Sequence, residues 1–243
     1  ILFLLQPGAF SQDVNILLKE AVNFEKQLKE PEALKKYKQV VEADAKNMVA
    51  VIKCAELSCS IGGREKDKTS KRLYYETALA YGQKALWLNE GNADANYVAA
   101  LAFGKLTELD YENKKVVDYV RQIKLYADRA LAINAKHAKA NYVEGKWHIA
   151  VQNLSWFKKA AVKTMYGGLP DSGLDSAIYF MEKCRSADMY FVLNYLDLAK
   201  AYDQNNQPGK AIDILKKMIT LPERTADDMA LKEEGKKLLE KMQ

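Results

Sequence analysis

The feature that most constrains this chain is a repeat at an offset of 45 residues. Residues 130–134 read ALAIN and residues 140–143 read ANYV. Forty-five residues earlier stand ALWLN at 85–89 and ANYV at 95–98. Because two separate patterns recur at one offset, we infer that a structural unit is repeated along the chain.

The pattern of small and apolar positions continues in both directions from this pair of units. Its anchor residues are Val40, Ala85, Ala130, Cys184 and Met218, which are 45, 45, 54 and 34 residues apart. A period of about 34 residues is that of a tetratricopeptide repeat, a pair of helices with small residues where the two touch.

The terminal unit resembles the tetratricopeptide family. Its matching residues are Tyr195, Leu198, Ala199 and Tyr202 on the first helix, Ala211, Leu215 and Met218 on the second, and then Pro222. This resemblance implies an all-α, right-handed solenoid of about six helix pairs, in which 45-residue repeats precede one of 34. We expect the 11 extra residues near 62–70 and 108–115, where they lengthen helices and turns without breaking the stack.

Composition supports one elongated helical body. Hydrophobic residues make up 49% of the 243 residues, and 12 Gly and 5 Pro are too few for a turn-rich β-protein. We therefore predict a single repeat domain over residues 13–243. The net charge of +5 comes from lysines interleaved with acidic residues, which predicts no basic face for nucleic acid.

Residues 1–12, ILFLLQPGAFSQ, differ from the rest of the chain. They are apolar, break at Pro7 and Gly8, and end in the small-x-small pattern of Ala9 and Ser11, which favours the remnant of an export signal. The expected location is then periplasmic or secreted. The alternative is a loosely packed N-terminal arm of a cytoplasmic protein. No other segment approaches the ~20 apolar residues of a membrane span, so no transmembrane segment is predicted.

Apolar spacing predicts the helices. The first is expected from Asp13 to Lys29 and the second from Pro31 to Asp44. The others are expected at residues 48–60, 70–89, 93–109, 114–134, 138–151, 155–166, 174–187, 191–204, 208–221 and 225–242. Gly62 and Gly63 are predicted to form a turn with positive φ, and residues 205–208 are predicted to form another.

Residues 153–168 are the least repeat-like stretch, and two interpretations remain open. In the first interpretation, the aromatic residues pack at the junction between the 45-residue and 34-residue repeats, and the lysines are solvated. Alternatively, the same helix offers aromatic and basic groups to a phospholipid headgroup or a partner. The residues concerned are Trp156, Phe157, Lys158, Lys159 and Lys163.

This stretch, with Trp147 and His148 before it and residues 222–228 near the end, resembles the regulator of microtubule dynamics family, which has exported bacterial relatives. The resemblance covers Glu30 to Met242. It implies a helical module that makes contacts, with microtubules in eukaryotic members or with phospholipid at membrane contact sites, and it implies no catalytic activity. An exported chain would meet no microtubules.

Motifs for chemistry are not found in the sequence. His137 and His148 are 11 residues apart without the spacing of a metal site, so capping or packing roles are expected. Cys54, Cys59 and Cys184 are expected to be buried thiols. No phosphate loop or nucleophile elbow occurs. We therefore predict a protein that is not an enzyme and uses no cofactor or metal.

The first helix of each pair is expected to line the concave side of the solenoid. The positions predicted to be exposed there are Lys53, Glu56, Tyr97, Leu101, Tyr142, Lys146, Asp197, Lys200 and Asp203. Tyrosines among mixed charges suit an extended peptide, although tyrosines that merely pack between units remain an equal alternative. The leading hypothesis is a scaffold that binds a protein or peptide partner on this face, and the alternative is a module that contacts a phospholipid surface.

Overall fold

Helices account for nearly all of the chain that the structure, a computed structural model, describes: residues 7–109, 113–153 and 172–243. No strand occurs within these ranges. The helices are α1 (Pro7–Lys26), α2 (Glu30–Ala43), α3 (Met48–Arg64), α4 (Lys68–Leu88), α5 (Ala93–Thr107), α6 (Asn113–Ile133), α7 (Ala138–Gln152), α8 (Leu174–Ala187), α9 (Val192–Gln204), α10 (Pro208–Met218) and α11 (Asp228–Met242).

Successive helices pair and the pairs stack. The pairs are α1 with α2, α3 with α4, α5 with α6, α7 with α8, and α9 with α10, while α11 packs on α9 and α10. The second helix of one pair also contacts the first helix of the next, as α4 contacts α5. The predicted all-α solenoid is confirmed. The helix predicted at 155–166 lies outside the described residues.

The anchor positions explain the stacking. Val40, Ala85, Ala130, Cys184 and Met218 are all fully buried, each on the second helix of its pair. The small side chains at most of these points let two helix backbones approach closely. The positions that repeat in the sequence are therefore the positions at which the helices pack.

The longer period of the early repeats lies mainly in the helices. Helices α3 to α6 have 15 to 21 residues, whereas α9 and α10 have 13 and 11. The connection between α3 and α4 comprises only residues 65–67. The extra residues thus lengthen the helices without interrupting the stack, as predicted.

The prediction of a turn with positive φ at Gly62 and Gly63 is wrong, because α3 continues through both residues to Arg64. Gly62 is needed for close packing instead. A Cβ at this position would lie 2.7 Å from Cβ of Tyr74 and 2.9 Å from Cε1 of Tyr75, both on α4. The glycine therefore marks a point where α3 and α4 approach very tightly.

In the described part of the chain, two non-glycine residues adopt positive φ, and both end a helix. Asn206 has φ 56° in the predicted turn before α10, and Leu28 has φ 58° after α1. In each case the next residue donates its N–H five residues back, from Gln207 to Tyr202 O at 2.9 Å and from Lys29 to Phe24 O at 2.9 Å. This is the Schellman arrangement, in which asparagine is common and leucine is strained.

Five helix boundaries lie three or more residues from their predicted positions: the start and end of α1, the end of α3 at Arg64, the end of α10 at Met218 and the start of α11. Helix α1 already includes Pro7, so it covers six residues more at this end than the predicted start at Asp13. Helix α11 begins at Asp228 because the N–H groups just before it are held by the side chain of that residue. Within the described ranges, no helix is both long and apolar enough to cross a bilayer. Export remains a prediction.

Candidate partner-binding surface

The first helices of the pairs form one continuous face. Helix α3 contacts α5 directly, α5 contacts α7, and α9 contacts α11, in addition to the contacts within each pair. We call the surface presented by α1, α3, α5, α7 and α9 the concave face. It is the surface on which the sequence placed the partner-binding residues.

A repeated cap sets the start of three of these helices. Asn47, Asn92 and His137 stand 45 residues apart, immediately before α3, α5 and α7. Each side chain accepts a hydrogen bond from the N–H three residues later, at 3.1, 2.9 and 2.9 Å. Such caps satisfy N–H groups that the first turn of a helix leaves unpaired. The same local chemistry therefore starts α3, α5 and α7 in the same register.

At the N-terminal end of the concave face, acids and lysines join successive helices. Lys53 Nζ on α3 lies 2.8 Å from Glu25 Oε1 on α1 and 3.5 Å from Glu56 Oε2 on its own helix. Lys139 Nζ on α7 reaches the other oxygen of Glu56 at 2.6 Å and so bridges over α5. An ion pair between α3 and α7 requires the array to curve toward this face.

The C-terminal half continues the same pattern. The Tyr142 hydroxyl donates to Asp197 Oδ2 at 2.7 Å, and Lys146 Nζ lies 3.0 Å from the same oxygen, so that α7 is joined to α9. Lys200 then reaches Glu234 Oε1 on α11 at 2.7 Å. Asp203, one turn further along α9, is exposed.

Three predicted groove residues are buried, and for the two tyrosines the alternative of packing between units is the one observed. Tyr97 is 6% exposed and Tyr142 is 8% exposed, and Asp197 is buried beneath Lys146. The tyrosine rings pack between units, Tyr97 against His137 at 5.2 Å between centroids and Tyr142 against Phe191 at 5.0 Å. Curvature of the array brings the concave helices too close for these rings to reach solvent.

The remaining predicted positions differ in accessibility. Leu101 is half-buried and packs against the core, whereas Lys53, Lys146 and Lys200 keep part of their side chains in solvent. In two ion pairs the lysine is far more exposed than the acid. Lys146 is 46% exposed against 10% for Asp197, and Lys139 is 40% exposed against 14% for Glu56. At these points the ammonium groups, rather than the carboxylates, face solvent.

Neighbouring charges keep Glu56 and Lys53 in their charged forms, and burial together with a neighbouring charge keeps Tyr142 protonated. Burial acts to raise the pKa of Glu56, but the charges of Lys139 and Lys53 outweigh it and hold that pKa below its usual value. Burial likewise acts to lower the pKa of Lys53, and Glu56 and Glu25 raise it above its usual value. Burial, and then the charge of Asp197, raises the pKa of Tyr142 well above its usual range. The tyrosine therefore stays a hydrogen-bond donor.

Sequence reasoning missed Lys139 and Glu25. The repeat could have revealed Lys139, because it occupies the same repeat position as the charged residue Asp94, 45 residues earlier, in the first turn of a concave helix. Asp94 itself pairs with His137 Nε2 at 2.9 Å. Glu25 carries no such signal, because α1 has no recognisable counterpart in the repeat pattern.

Both histidines have structural roles, as predicted. His137 caps α7, and His148 is buried with its ring stacked on Phe180 at 5.4 Å between centroids. Beside His148, the fully buried Glu144 is paired with Lys124 Nζ at 3.0 Å from Oε1. Among the described residues, no group of three or more histidine, cysteine or acidic side chains is arranged to hold a metal ion.

The three cysteines are free and buried, which confirms the prediction of core thiols. Burial raises the pKa of Cys54 and that of Cys59 to about 12, so neither is a ready thiolate. The residues predicted for lipid or partner contact, Trp156, Phe157, Lys158, Lys159 and Lys163, lie outside the described part of the chain, and that alternative stays a prediction.

Stacked helix pairs with small residues at their contacts, capped in register along one curved face, define a tetratricopeptide-like α-solenoid, a fold used for protein–protein interaction scaffolds. A solved tetratricopeptide-repeat protein of Thermus thermophilus shares this fold with a TM-score of 0.66 at 14% identity, over 93% of this chain and 98% of that one.

The family model described as "Regulator of microtubule dynamics protein 1-3" matches residues 17–243, and the chain belongs to this family. It is 25% identical over 188 residues to regulator of microtubule dynamics protein 1 of Caenorhabditis elegans, a match that spans 77% of this chain and 80% of that protein. It is 27% identical over 180 residues to the Bos taurus protein of the same name, over 73% of this chain and 55% of that protein.

Proposed function

We propose that this chain is a non-enzymatic scaffold that binds an extended segment of a partner protein on its concave face. The observation that carries the proposal is the row of solvent-facing lysines at Lys53, Lys139 and Lys146, each held by a less exposed acid on another helix of the concave face. The ion pairs restrict these long side chains before any partner arrives. Less conformational entropy is then lost on binding, so preorganised donors support affinity.

The partner's backbone carbonyls and carboxylates are the groups that these lysines can bind. A lysine ammonium has three donors, and its ion pair uses only some of them. Lys146 and Lys139 therefore retain donors that point to solvent. The buried tyrosines support the face from beneath rather than touching the partner, which replaces the role first predicted for them.

The test is a selection of random displayed peptides on the purified protein, followed by affinity measurement of the selected peptides. Lys146→Met removes one exposed ammonium and leaves Asp197 its bond from Tyr142. We expect this change to weaken binding by about tenfold, equivalent to about 1.4 kcal/mol. Lys216→Met, an exposed lysine on the second helix of the last pair, is the matched control and is expected to leave affinity unchanged.

Two outcomes would contradict this proposal. Selected peptides that bind both variants and the parent protein equally would place their site off the concave face. Binding to phospholipid vesicles in a flotation assay, with no selectable peptide, would favour the lipid alternative instead. Circular dichroism of each variant checks that the helices remain folded.

A further inference from the structure

Residues 222–228 form an ordered turn between α10 and α11. Asp228 organises it, since Oδ2 accepts hydrogen bonds from the N–H groups of Arg224 at 2.7 Å and Thr225 at 2.9 Å. Its Oδ1 accepts from the Thr225 hydroxyl at 2.7 Å. The carboxylate is buried, so the turn has a defined shape.

This turn contacts the opposite end of the chain. Asp227 Oδ1 lies 2.9 Å from Arg64 Nη1 at the end of α3, across 163 residues of sequence. The N–H of Ala226 donates to Glu30 Oε1 at the start of α2, at 3.3 Å across 196 residues. Arg64 Nη2 also donates to Glu30 Oε2 at 2.5 Å. One arginine thus joins acids from both ends of the solenoid.

Burial makes this contact more than a surface ion pair. Glu30 is 5% exposed, and a buried carboxylate is costly unless it is paired and hydrogen-bonded. One of its two oxygens receives its hydrogen bond from the turn. Removing the turn would leave that oxygen without this donor.

A second contact ties the turn to the fourth pair. Arg224 Nη1 lies 3.1 Å from Asp188 Oδ1 after α8, and its guanidinium lies over the ring of Tyr190 at 5.7 Å from the centroid. The turn therefore touches the first two pairs on one side and the fourth on the other. In an ordinary solenoid each repeat contacts only its neighbours.

We propose that residues 222–228 are a clasp that holds the curved solenoid closed end to end, with Arg64 as the residue that both ends share. Release of the clasp lets the array open and widens the concave face. The consequence for partner binding rests on the proposed function, whereas the clasp itself does not.

The test compares Asp227→Lys with the parent protein, without any ligand. Asp227 is 37% exposed, so lysine fits there, and it places a second cation beside Arg64 while leaving the Arg64–Glu30 pair. We expect a larger radius of gyration by small-angle X-ray scattering and at least about tenfold faster amide hydrogen exchange at Ala226. Helix content by circular dichroism should not change.

Two comparisons keep the test specific. Lys236→Met removes a surface ion pair with Glu233 that lies within α11, and it is expected to change neither measurement. Salt of about 1 M, which shortens the Debye length to about 3 Å, should shift the parent protein in the direction of Asp227→Lys.

Superimposable scattering curves and unchanged exchange at Ala226 in Asp227→Lys would overturn the clasp. An effect of equal size in Lys236→Met would also overturn it, because the loss of any surface ion pair would then be enough to produce the effect. Failure of the peptide selection would leave these ligand-free measurements unaffected, so the two proposals can fail separately.

Discussion

The same substitution, glycine to alanine, should have opposite effects at two positions in neighbouring concave helices. Gly62 lies in α3 and Gly104 lies in α5. In a helix interior, alanine is favoured over glycine by about 1 kcal/mol, because glycine loses more backbone freedom on folding. The space around the added Cβ therefore decides whether the substitution raises or lowers the stability of the protein.

At Gly62 the new methyl group has no room. Its contacts of 2.7 Å to Tyr74 Cβ and 2.9 Å to the Tyr75 ring are far inside the usual ~3.5–4.0 Å between carbons. Tyr74 Cβ is bonded to the backbone, and the buried Tyr75 ring is held by a hydrogen bond from its hydroxyl to Glu108 at 2.9 Å. Helices α3 and α4 must then separate, and overpacking costs about 1–3 kcal/mol.

With the neighbours so rigid, the cost at Gly62 should lie near the upper end, so that about 2 kcal/mol is lost after the gain in helix propensity. At Gly104 no atom lies within 4 Å of the added Cβ, so only the gain of about 0.5–1 kcal/mol remains. For a chain of this size, 1 kcal/mol shifts Tm by about 2–4 °C. We expect Gly62→Ala to lower Tm by about 4–8 °C and Gly104→Ala to raise it by about 1–4 °C.

Thermal unfolding followed by circular dichroism measures both shifts, and urea titration gives the free energy of unfolding independently. If Gly62→Ala raised Tm, the close approach of α3 and α4 would be refuted. If both variants moved in the same direction, the argument that local space decides the sign would fail.

Three further predictions concern the ion pairs and the thiols. Tyr142→Phe removes a donor from the buried carboxylate of Asp197 and should lower the free energy of unfolding by about 1–3 kcal/mol in urea titration; an unchanged value would contradict the burial of that bond. Because Glu56 has a lowered pKa when folded, it stabilises the fold above its unfolded pKa of about 4.3 and loses that contribution as pH falls through the folded pKa. Lys139→Met should therefore move the midpoint of acid unfolding to higher pH, whereas Lys136→Met in the adjacent turn should not, and equal shifts would point to net charge. The three buried cysteines should react with a thiol reagent only in denaturant, and fast reaction of the native protein would contradict their burial.

Much of the fold could be predicted because residues close together in the sequence specify the repeat. The anchors Ala85 and Ala130 are small in the sequence and fully buried in the structure. The caps Asn92 and His137 recur at the same 45-residue offset. Helix periodicity, caps and small contact residues act within a few turns of the chain, so sequence spacing alone reveals them.

The candidate site was predicted less well. Lys53 and Lys146 lie on helices of the concave face and keep exposed ammonium groups, and their role in binding stays a prediction. Tyr97 and Tyr142 were predicted to be exposed and are buried, because exposure depends on how sharply successive pairs curve. A single repeat does not specify that curvature.

The sequence by itself determined the all-α repeat class of this protein and the approximate positions of the helices that the structure describes, since these follow from short-range spacing. Only the tertiary structure decided that Gly62 serves packing rather than a turn, and that Arg64 joins Glu30 to Asp227 across the length of the chain. Such contacts depend on small rotations that accumulate from one helix pair to the next. No short sequence pattern specifies the total rotation along the array. For that reason the contact between the two ends of the solenoid is seen only in the tertiary structure.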